Sequence, residues 1–434
     1  MESTRKALVG GAAALALAAT AALAVPASAQ EPLRLGVVTF LTGAAAGPFG
    51  IPARNAAELI VEAINKGALP APHDSKGVGG APIEMVLVDE AGTTTQVVQE
   101  YRNLVERRNV DAVVGYISSG SCLAVTPVAE ELKKLTIFFD CGTPRIFEEA
   151  ARTWVFRTAA HATMDGVGAA RYVIEKFANA NAYAGLNQNY AWGQDSWRDF
   201  TAAMQVLKPG SKVTTEQFPK LFQGQFSAEI SALLLSNSDV IHSSFWNGDL
   251  EGFILQQNAR GLHAKSKLVL TAGETAMFRL GAKMPDGVVI GARGPYGLYA
   301  PADEPLNKWF RQAYADRFNT PATYPGYHMA NALLGLKAAA DKAAAAAGKR
   351  PTGEQIAKAL EGLEYQSIGT KVKMALGKGH QAITGTAYGT FKFDKATGEP
   401  TLVDVKHYPA ECVNPPDGAD SVEWVKGGMK GAKC

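Results

Sequence analysis

The sequence carries almost no surplus of charge of either sign. Its 43 Lys and Arg residues face 41 Asp and Glu residues, which leaves a formal net charge of +2. Nucleic-acid binding normally needs a clustered basic excess, so we expect no nucleic-acid partner. Hydrophobic residues make up 47% of the 434 residues, which excludes a disordered chain, a collagen and a multi-span membrane protein. The length predicts two or three domains.

Long hydrophobic runs are also missing, apart from one at the amino terminus. Two basic residues precede the run Ala7–Val25, and a small-residue cleavage site, Ala27-Ser28-Ala29, follows it. This pattern predicts a signal peptide over residues 1–29 and a mature protein outside the cytoplasm. A transmembrane anchor is the alternative, but the run is rich in Ala and Gly and only weakly hydrophobic. No cysteine lies near the cut, so we expect no lipid anchor.

Cysteine is scarce, and no motif gathers it with histidine. The four cysteines allow three pairings, and we favour Cys122–Cys141 and Cys412–Cys434 in an oxidising compartment. The alternative is free thiols that serve as small packing residues. Without a CxxC motif or a His/Cys cluster, we expect no metal site and no cofactor.

Short apolar strands alternate with amphipathic helices twice along the chain. The first series of strands is 33–40, 83–88, 111–115 and 136–139, and the second is 182–186, 212–218, 240–243, 268–270 and 288–290. This alternation predicts an α/β protein with parallel sheets covered on both faces. Two successive series indicate two similar lobes.

Ligands of open α/β sheets bind beyond the carboxyl ends of the strands, and three such loops carry polar groups. The first holds Ser118, Ser119 and Ser121 at a helix start, where free N–H groups suit a carboxylate or phosphate. The second contains Gly142 and Thr143, and the third contains Glu274, which could hold an ammonium group. Helix capping and plain turns are the alternative explanations for these residues. Aromatic residues at the same level (Phe49, Tyr190, Trp192, Phe245, Trp246) either pack in the core or form an apolar box for a ligand.

A series of short motifs gives the chain a family resemblance from about Leu33 to His407. These are Leu35-Gly-Val-Val with Thr42-Gly43, Glu62-Ala-Ile-Asn65, Val113-Val-Gly115, Ser119-Gly120, Phe156-Arg-Thr158, Tyr190-Ala-Trp-Gly193 and Phe391-x-Phe393-Asp394. In this order and spacing they resemble the periplasmic substrate-binding proteins of branched-chain amino acid-type ABC transporters, also called Leu/Ile/Val-binding proteins.

The resemblance implies a type I periplasmic binding protein fold, in which two Rossmann-like lobes are joined by three crossovers and close over a cleft like a hinge. It places the crossovers near Arg157–His161, Gly291–Gly297 and Asp394–Pro400. It also divides the chain into an N-terminal lobe of residues 30–158 plus 297–397 and a C-terminal lobe of residues 159–296 plus 398–434, whose tail a disulfide closes.

The resemblance further implies a non-enzymatic receptor in the periplasm. Such a receptor captures a small carboxylate-bearing ligand, here a branched-chain or other apolar amino acid, and delivers it to an ABC permease in the inner membrane. We expect it to be a monomer. The implied ligand contacts are Ser119 and Thr143 for the carboxylate, the Cys141 backbone, the aromatic walls Phe49, Trp192 and Trp246, and Glu274 for the α-ammonium group.

Departures from the family pattern leave other functions open. Cys141 stands where alanine is common, and Trp192 replaces a frequent tyrosine; the extra indoles suit an aromatic carboxylate or an amide. An exported serine hydrolase could pair a serine of residues 118–121 with His161, although no Gly-x-Ser-x-Gly motif is present. We prefer a hinge or pocket hydrogen bond as the role of His161. A sensor that signals to a membrane kinase or chemoreceptor would have the same two lobes.

Overall fold

The computed structural model describes residues 31–434, and the predicted signal peptide over residues 1–29 lies outside them. Among the helices within 31–434, none is both long and apolar enough to cross a membrane. The strands are β1 (Leu33–Thr39), β2 (Ile83–Asp89), β3 (Ala112–Gly115), β4 (Thr136–Phe138), β5 (Val155–Arg157), β6 (Ala182–Leu186), β7 (Lys212–Gln217), β8 (Val240–Ser243), β9 (Lys267–Leu270), β10 (Val289–Gly291), β11 (Glu364–Gln366), β12 (Lys371–Leu376), β13 (Gln381–Ile383), β14 (Thr386–Asp394) and β15 (Glu399–Tyr408).

Helices cover both sheets. They are α1 (Ile51–Lys66), α2 (Thr94–Arg102), α3 (Ser119–Glu131), α4 (Arg145–Glu148), α5 (Ala162–Lys176), α6 (Ala191–Leu207), α7 (Ser227–Leu235), α8 (Asn247–Arg260), α9 (Leu262–Lys265), α10 (Glu274–Leu280), α11 (Pro305–Phe318), α12 (Tyr324–Ala347), α13 (Gly353–Leu360), α14 (Ala410–Val413) and α15 (Ser421–Lys426), with short π or 3-10 segments at Ala46–Gly50, Asn103–Arg107, Gly281–Lys283 and Gly297–Tyr299.

The two sheets form two separate lobes, which we call the first lobe and the second lobe; they correspond to the expected N-terminal and C-terminal lobes. The first sheet has the strand order β11-β12-β13-β5-β4-β3-β1-β2, and the second has the order β15-β14-β10-β9-β8-β6-β7. Strands β1 to β5 pair in parallel, as do β6 to β10, so the carboxyl ends of each set lie at one edge of its sheet. The central strands are buried on both faces, as the short apolar runs predict; all residues of β3 and β8 are buried, whereas the edge strand β7 is largely exposed.

Three connections join the lobes, and two lie where the resemblance places them. Residues 158–161 lead from β5 to α5, and residues 292–296 follow β10. The third is the two-residue link Thr384–Gly385 between β13 of the first sheet and β14 of the second. The stretch Asp394–Pro400, expected to be a crossover, is instead the turn of the antiparallel β14–β15 hairpin, where Gly398 has a φ of 76°. Residues 386–394, which we expected in the N-terminal lobe, therefore belong to the second lobe.

Two disulfides tie loops together. Cys122–Cys141 joins the first turn of α3 to the turn after β4, and Cys412–Cys434 closes the C-terminal tail. The tail helices α14 and α15 pack against α5 and α6 of the second lobe. The N–H of Ser421 in this tail also donates to Glu148 Oε1 of the first lobe at 3.2 Å.

Candidate functional site

The loops after the parallel strands of both lobes meet at a small space, which we call the inner pocket. Its lining consists of Phe49, Ile117, Asp140, Gly142, Tyr190, Trp192, Trp246, Arg293 and Tyr324. The free volume is about 10 Å³, which is about enough for one water molecule. The lobes are therefore closed on one another here.

Aromatic rings fill the inner pocket. The Phe49 ring lies 5.1 Å from the Trp246 ring and 5.6 Å from the Tyr324 ring, both edge to face. The Trp192 indole N–H donates to the Ser244 carbonyl at 2.8 Å. Three of the predicted wall residues, Phe49, Trp192 and Trp246, are thus brought together.

A buried charge cluster borders the same pocket. The Arg293 guanidinium lies 4.4 Å over the Trp192 ring, pairs with Asp140, and donates to Asp165 Oδ2 at 3.0 Å. Burial lowers the pKa of Arg293 and raises the pKa of Asp165 well above its usual value. Because the arginine is already paired with Asp140, it offers little net charge to a ligand.

Beside the inner pocket lies a larger space between the lobes, the outer cavity, with a volume of about 460 Å³. That size is within the range of small-ligand sites. Tyr190 belongs to both spaces. The outer cavity is lined by Phe40, Thr42, Gly43, Ala44, Ala45, Glu90, Ala91, Gly92, Thr94, Ser118, Gly120, Ser121, Tyr190, Leu221 and Phe222. Among these described residues there is one carboxyl group, that of Glu90, and no Lys, Arg or His.

Glu90 follows β2 and reaches the start of α3. Its Oε2 accepts the Ile117 N–H at 2.8 Å, and its Oε1 accepts the Ser118 N–H at 2.9 Å. Burial raises the pKa of Glu90 to about 8, although these hydrogen bonds act in the opposite direction. The carboxyl group is therefore mostly protonated at neutral pH when no cation is near it.

The predicted carboxylate contacts lie together, but outside both spaces. The Thr143 N–H donates to Ser119 Oγ at 3.2 Å, and the Thr143 hydroxyl donates to Asp195 Oδ2 at 2.6 Å. Arg157 Nη1 donates to the carbonyls of Cys141 and Thr143. A carboxylate of the second lobe, that of Asp195, thus takes the hydroxyl that the resemblance assigned to the ligand.

Glu274 also lies away from both spaces. Its Oε2 accepts the Tyr324 N–H at 2.9 Å, so a side chain of the second lobe caps the first turn of α12 in the first lobe. Burial raises the pKa of Glu274 to about 8.

The residues that the sequence-based reasoning missed are Glu90, Asp195, Phe222 and Arg293. Glu90 obeys the same strand-end rule as the predicted residues, since it follows β2 directly. Asp195 lies inside α6, where no loop signal marks it. His161, the residue weighed for a hydrolase, accepts the Thr163 N–H at 3.3 Å, and burial lowers its pKa to about 3.

Comparison with known proteins identifies the family. The family described as periplasmic binding protein matches residues 32–396. No curated protein matches the sequence. Among solved structures, a solute-binding protein of an ABC transporter from Rhodopseudomonas palustris BisB5, in complex with 3,4-dihydroxybenzoic acid, superposes with a TM-score of 0.75 at 20% identity, covering 87% of this chain and 98% of that one.

Two further structures have the same fold. One is a solute-binding protein of an ABC transporter from R. palustris in complex with benzoate, with a TM-score of 0.74, 18% identity, and coverage of 90% of this chain and 99% of that one. The other is a leucine-binding protein from Thermotoga maritima, with a TM-score of 0.70, 18% identity, and coverage of 86% and 98%. With its two α/β lobes and its family match over most of its length, the chain belongs to the periplasmic binding proteins, the type I solute receptors of ABC transporters.

Proposed function

We propose that this protein captures an apolar α-amino acid in the outer cavity and delivers it to an ABC permease. The observation that carries the proposal is the composition of the cavity wall. One end holds the start of α3 with the hydroxyls of Ser118 and Ser121, beside the single carboxyl group of Glu90. The rest of the wall is largely apolar and aromatic.

Each part of an amino acid has a counterpart in this wall. The first N–H groups of α3 have no partner within the helix and favour a carboxylate. Glu90, next to them, suits the adjacent ammonium group. Phe40, Leu221 and Phe222 offer an apolar surface to the side chain. In this assignment Glu90 takes the role that the resemblance gave to Glu274.

Proton release provides the test of the proposal. An ammonium group beside Glu90 favours the ionised carboxylate, so binding lowers the pKa of Glu90 and releases protons. We expect isothermal titration of refolded protein with L-leucine or L-phenylalanine at pH 7.5 to show proton release, measured in two buffers of different ionisation enthalpy. Refolding removes any ligand carried through purification. Proton uptake, or no binding of either amino acid, would contradict the proposal.

A pair of matched variants locates the ammonium contact. Glu90→Gln removes the charge that the ammonium group meets, and we expect the affinity for the amino acid to fall by about 10- to 150-fold. Glu274→Gln changes an equally buried carboxyl group that lies outside the cavity, and we expect its affinity to stay within about twofold of the wild type. A loss in Glu274→Gln with none in Glu90→Gln would return the role to Glu274.

A second candidate ligand is a small aromatic carboxylate. The rings of Phe40, Tyr190 and Phe222 favour it, and two proteins of similar fold are in complex with benzoate or 3,4-dihydroxybenzoic acid. Such a ligand has no ammonium group, and its carboxylate raises the pKa of Glu90 further. Binding of benzoate with proton uptake, unaffected or strengthened by Glu90→Gln, would support this candidate over the amino acid.

A further inference from the structure

The second lobe contributes a small part of the outer cavity. Of the described residues that line it, Tyr190, Leu221 and Phe222 come from this lobe, and the others come from loops of the first lobe. Leu221 and Phe222 lie in the loop between β7 and α7. When the lobes close, this loop and Tyr190 therefore complete the cavity wall.

Phe222 has an unusual backbone conformation. Its φ is 63°, in the left-handed region that bulky residues rarely adopt, and the residue is 46% exposed. A large apolar side chain held at a cavity mouth in this way exposes surface that a bound apolar group would cover.

Asp249 at the start of α8 holds the loop in place. Its Oδ2 accepts the Phe222 N–H at 2.7 Å, and its Oδ1 accepts the Gly224 N–H at 2.9 Å. The side-chain amide of Gln188 also donates to Asp249 Oδ2, at 2.8 Å. These hydrogen bonds fix the Phe222 backbone before any ligand binds, which reduces the entropy lost on binding.

The Phe222 ring reaches across to the first lobe. Its centroid lies 6.4 Å from that of Phe40 in the first lobe and 6.0 Å from that of Trp246 in the second. Phe40 and Trp246 are themselves 5.8 Å apart. The three rings form an aromatic triangle between the outer cavity and the inner pocket.

We infer that Phe222 is a specificity-determining residue, which selects ligands whose apolar part is large enough to contact its ring. The inference rests on the proposed function and goes beyond it, because it assigns the discrimination between large and small side chains to one residue of the closing lobe. Removing the ring leaves a large ligand with an uncovered side chain, whereas a small ligand loses little.

The test compares Phe222→Ala with a matched control, Leu235→Ala. Leu235 is an apolar residue of the same lobe that is 81% exposed and does not line the cavity. Titration with L-leucine, L-phenylalanine and L-alanine gives the affinities, and stopped-flow mixing gives the dissociation rates. In Phe222→Ala we expect the affinity for leucine and phenylalanine to fall by about 10- to 100-fold, mostly through faster dissociation. We expect L-alanine affinity to change less than about threefold, and Leu235→Ala to bind all three as the wild type does.

Asp249→Asn provides a second variant in which the ring is kept but its anchor is weakened. We expect it to weaken the binding of leucine more than that of alanine, in the same direction as Phe222→Ala. Equal losses for all three amino acids in Phe222→Ala, or no loss, would overturn the inference while the proposed function stands. Wild-type protein that binds none of the three would overturn the proposed function itself.

Discussion

At the residue scale, Gly142 in the turn after β4 packs closely against the Trp192 ring in the inner pocket. A Cβ atom added at Gly142 would lie 1.9 Å from two carbons of the indole ring. The absence of a side chain therefore allows the ring to lie flat on the turn after β4. The indole N–H bond to Ser244 and the guanidinium of Arg293 hold the ring from its other sides.

We therefore expect Gly142→Ala to displace Trp192 and to lower the free energy of unfolding by about 1–3 kcal/mol. Denaturant titration followed by fluorescence measures the change. Gly353→Ala provides the control, since its nearest neighbour would be 3.6 Å from the new Cβ at the start of α13. A Gly142→Ala protein as stable as this control would show that the indole is free to move.

The resemblance assigned Phe49, Trp192 and Trp246 to the aromatic walls of a ligand site. All three line the inner pocket, and their contact with a ligand stays a prediction. The sequence did not show which serines face a ligand space. Ser118 and Ser121 are three residues apart, so they share one face at the start of α3, and the intervening Ser119 is directed to Thr143. Which of the serines line the outer cavity depends on the residue at which α3 begins.

At the scale of elements, the buried side chain of Asp195 in α6 links the second lobe to the first. Asp195 Oδ1 accepts from Arg145 Nη2 of the first lobe at 2.8 Å, and Oδ2 accepts from the Thr143 hydroxyl. Arg198 of α6 lies 3.2 Å from the same carboxylate. Since Asp195 is buried and Arg145 is partly exposed, the contact links the closed lobes more strongly than a surface ion pair.

We expect Asp195→Asn to lower the free energy of unfolding by about 1.5–3 kcal/mol and to favour a more open arrangement. Small-angle scattering without ligand would show a larger radius of gyration than that of the wild type. Asp404→Asn removes the exposed Lys176–Asp404 pair of the second lobe, and we expect a change below about 1 kcal/mol. An unchanged radius in Asp195→Asn would mean that other contacts are sufficient to keep the lobes closed.

Most of the parallel strands could be predicted as short apolar runs between helices, but β5 and the late strands β11 to β13 were not predicted. The sheet to which each late strand belongs could not be predicted either. Strands β11 to β13 and β14 to β15 are hairpin strands, and their alternating patterns do not indicate which sheet edge they join. The link Thr384–Gly385 between the two sheets is too short to leave a loop signal.

At the scale of the whole molecule, buried carboxyl and imidazole groups make the free energy of unfolding depend on pH. Burial raises the pKa values of Glu90 and Glu274 to about 8, so these groups stay protonated in the folded protein while the unfolded chain ionises them. Their contribution to stability is full below about pH 4.5 and is lost as the pH rises to 8. Burial lowers the pKa values of His161 and His242 to about 3, and this contribution is lost as the pH falls below about 6.5.

We therefore expect the melting temperature to be higher at pH 6 than at pH 8, since above pH 6.5 only the carboxyl contribution changes, whereas between pH 4.5 and pH 6.5 the carboxyl and histidine contributions change in opposite directions. Each group changes the free energy of unfolding by up to about 1.4 kcal/mol per pH unit within its window. Calorimetry at constant ionic strength measures the profile. Glu274→Gln would reduce the fall between pH 6 and pH 8, and a stability that rises steadily to pH 8 would contradict the expected burial of these carboxyl groups.

The position of two tryptophans has a practical consequence for anyone who handles this receptor. Of the 6 tryptophans in the chain, Trp192 and Trp246 lie where the two lobes meet, and one of them is stacked under a guanidinium group. Any motion that separates the lobes changes the solvent and the charge around both indoles. The tryptophan fluorescence of the protein therefore reports on the separation of the lobes. Ligand binding that closes the lobes can be followed by this fluorescence without an attached dye.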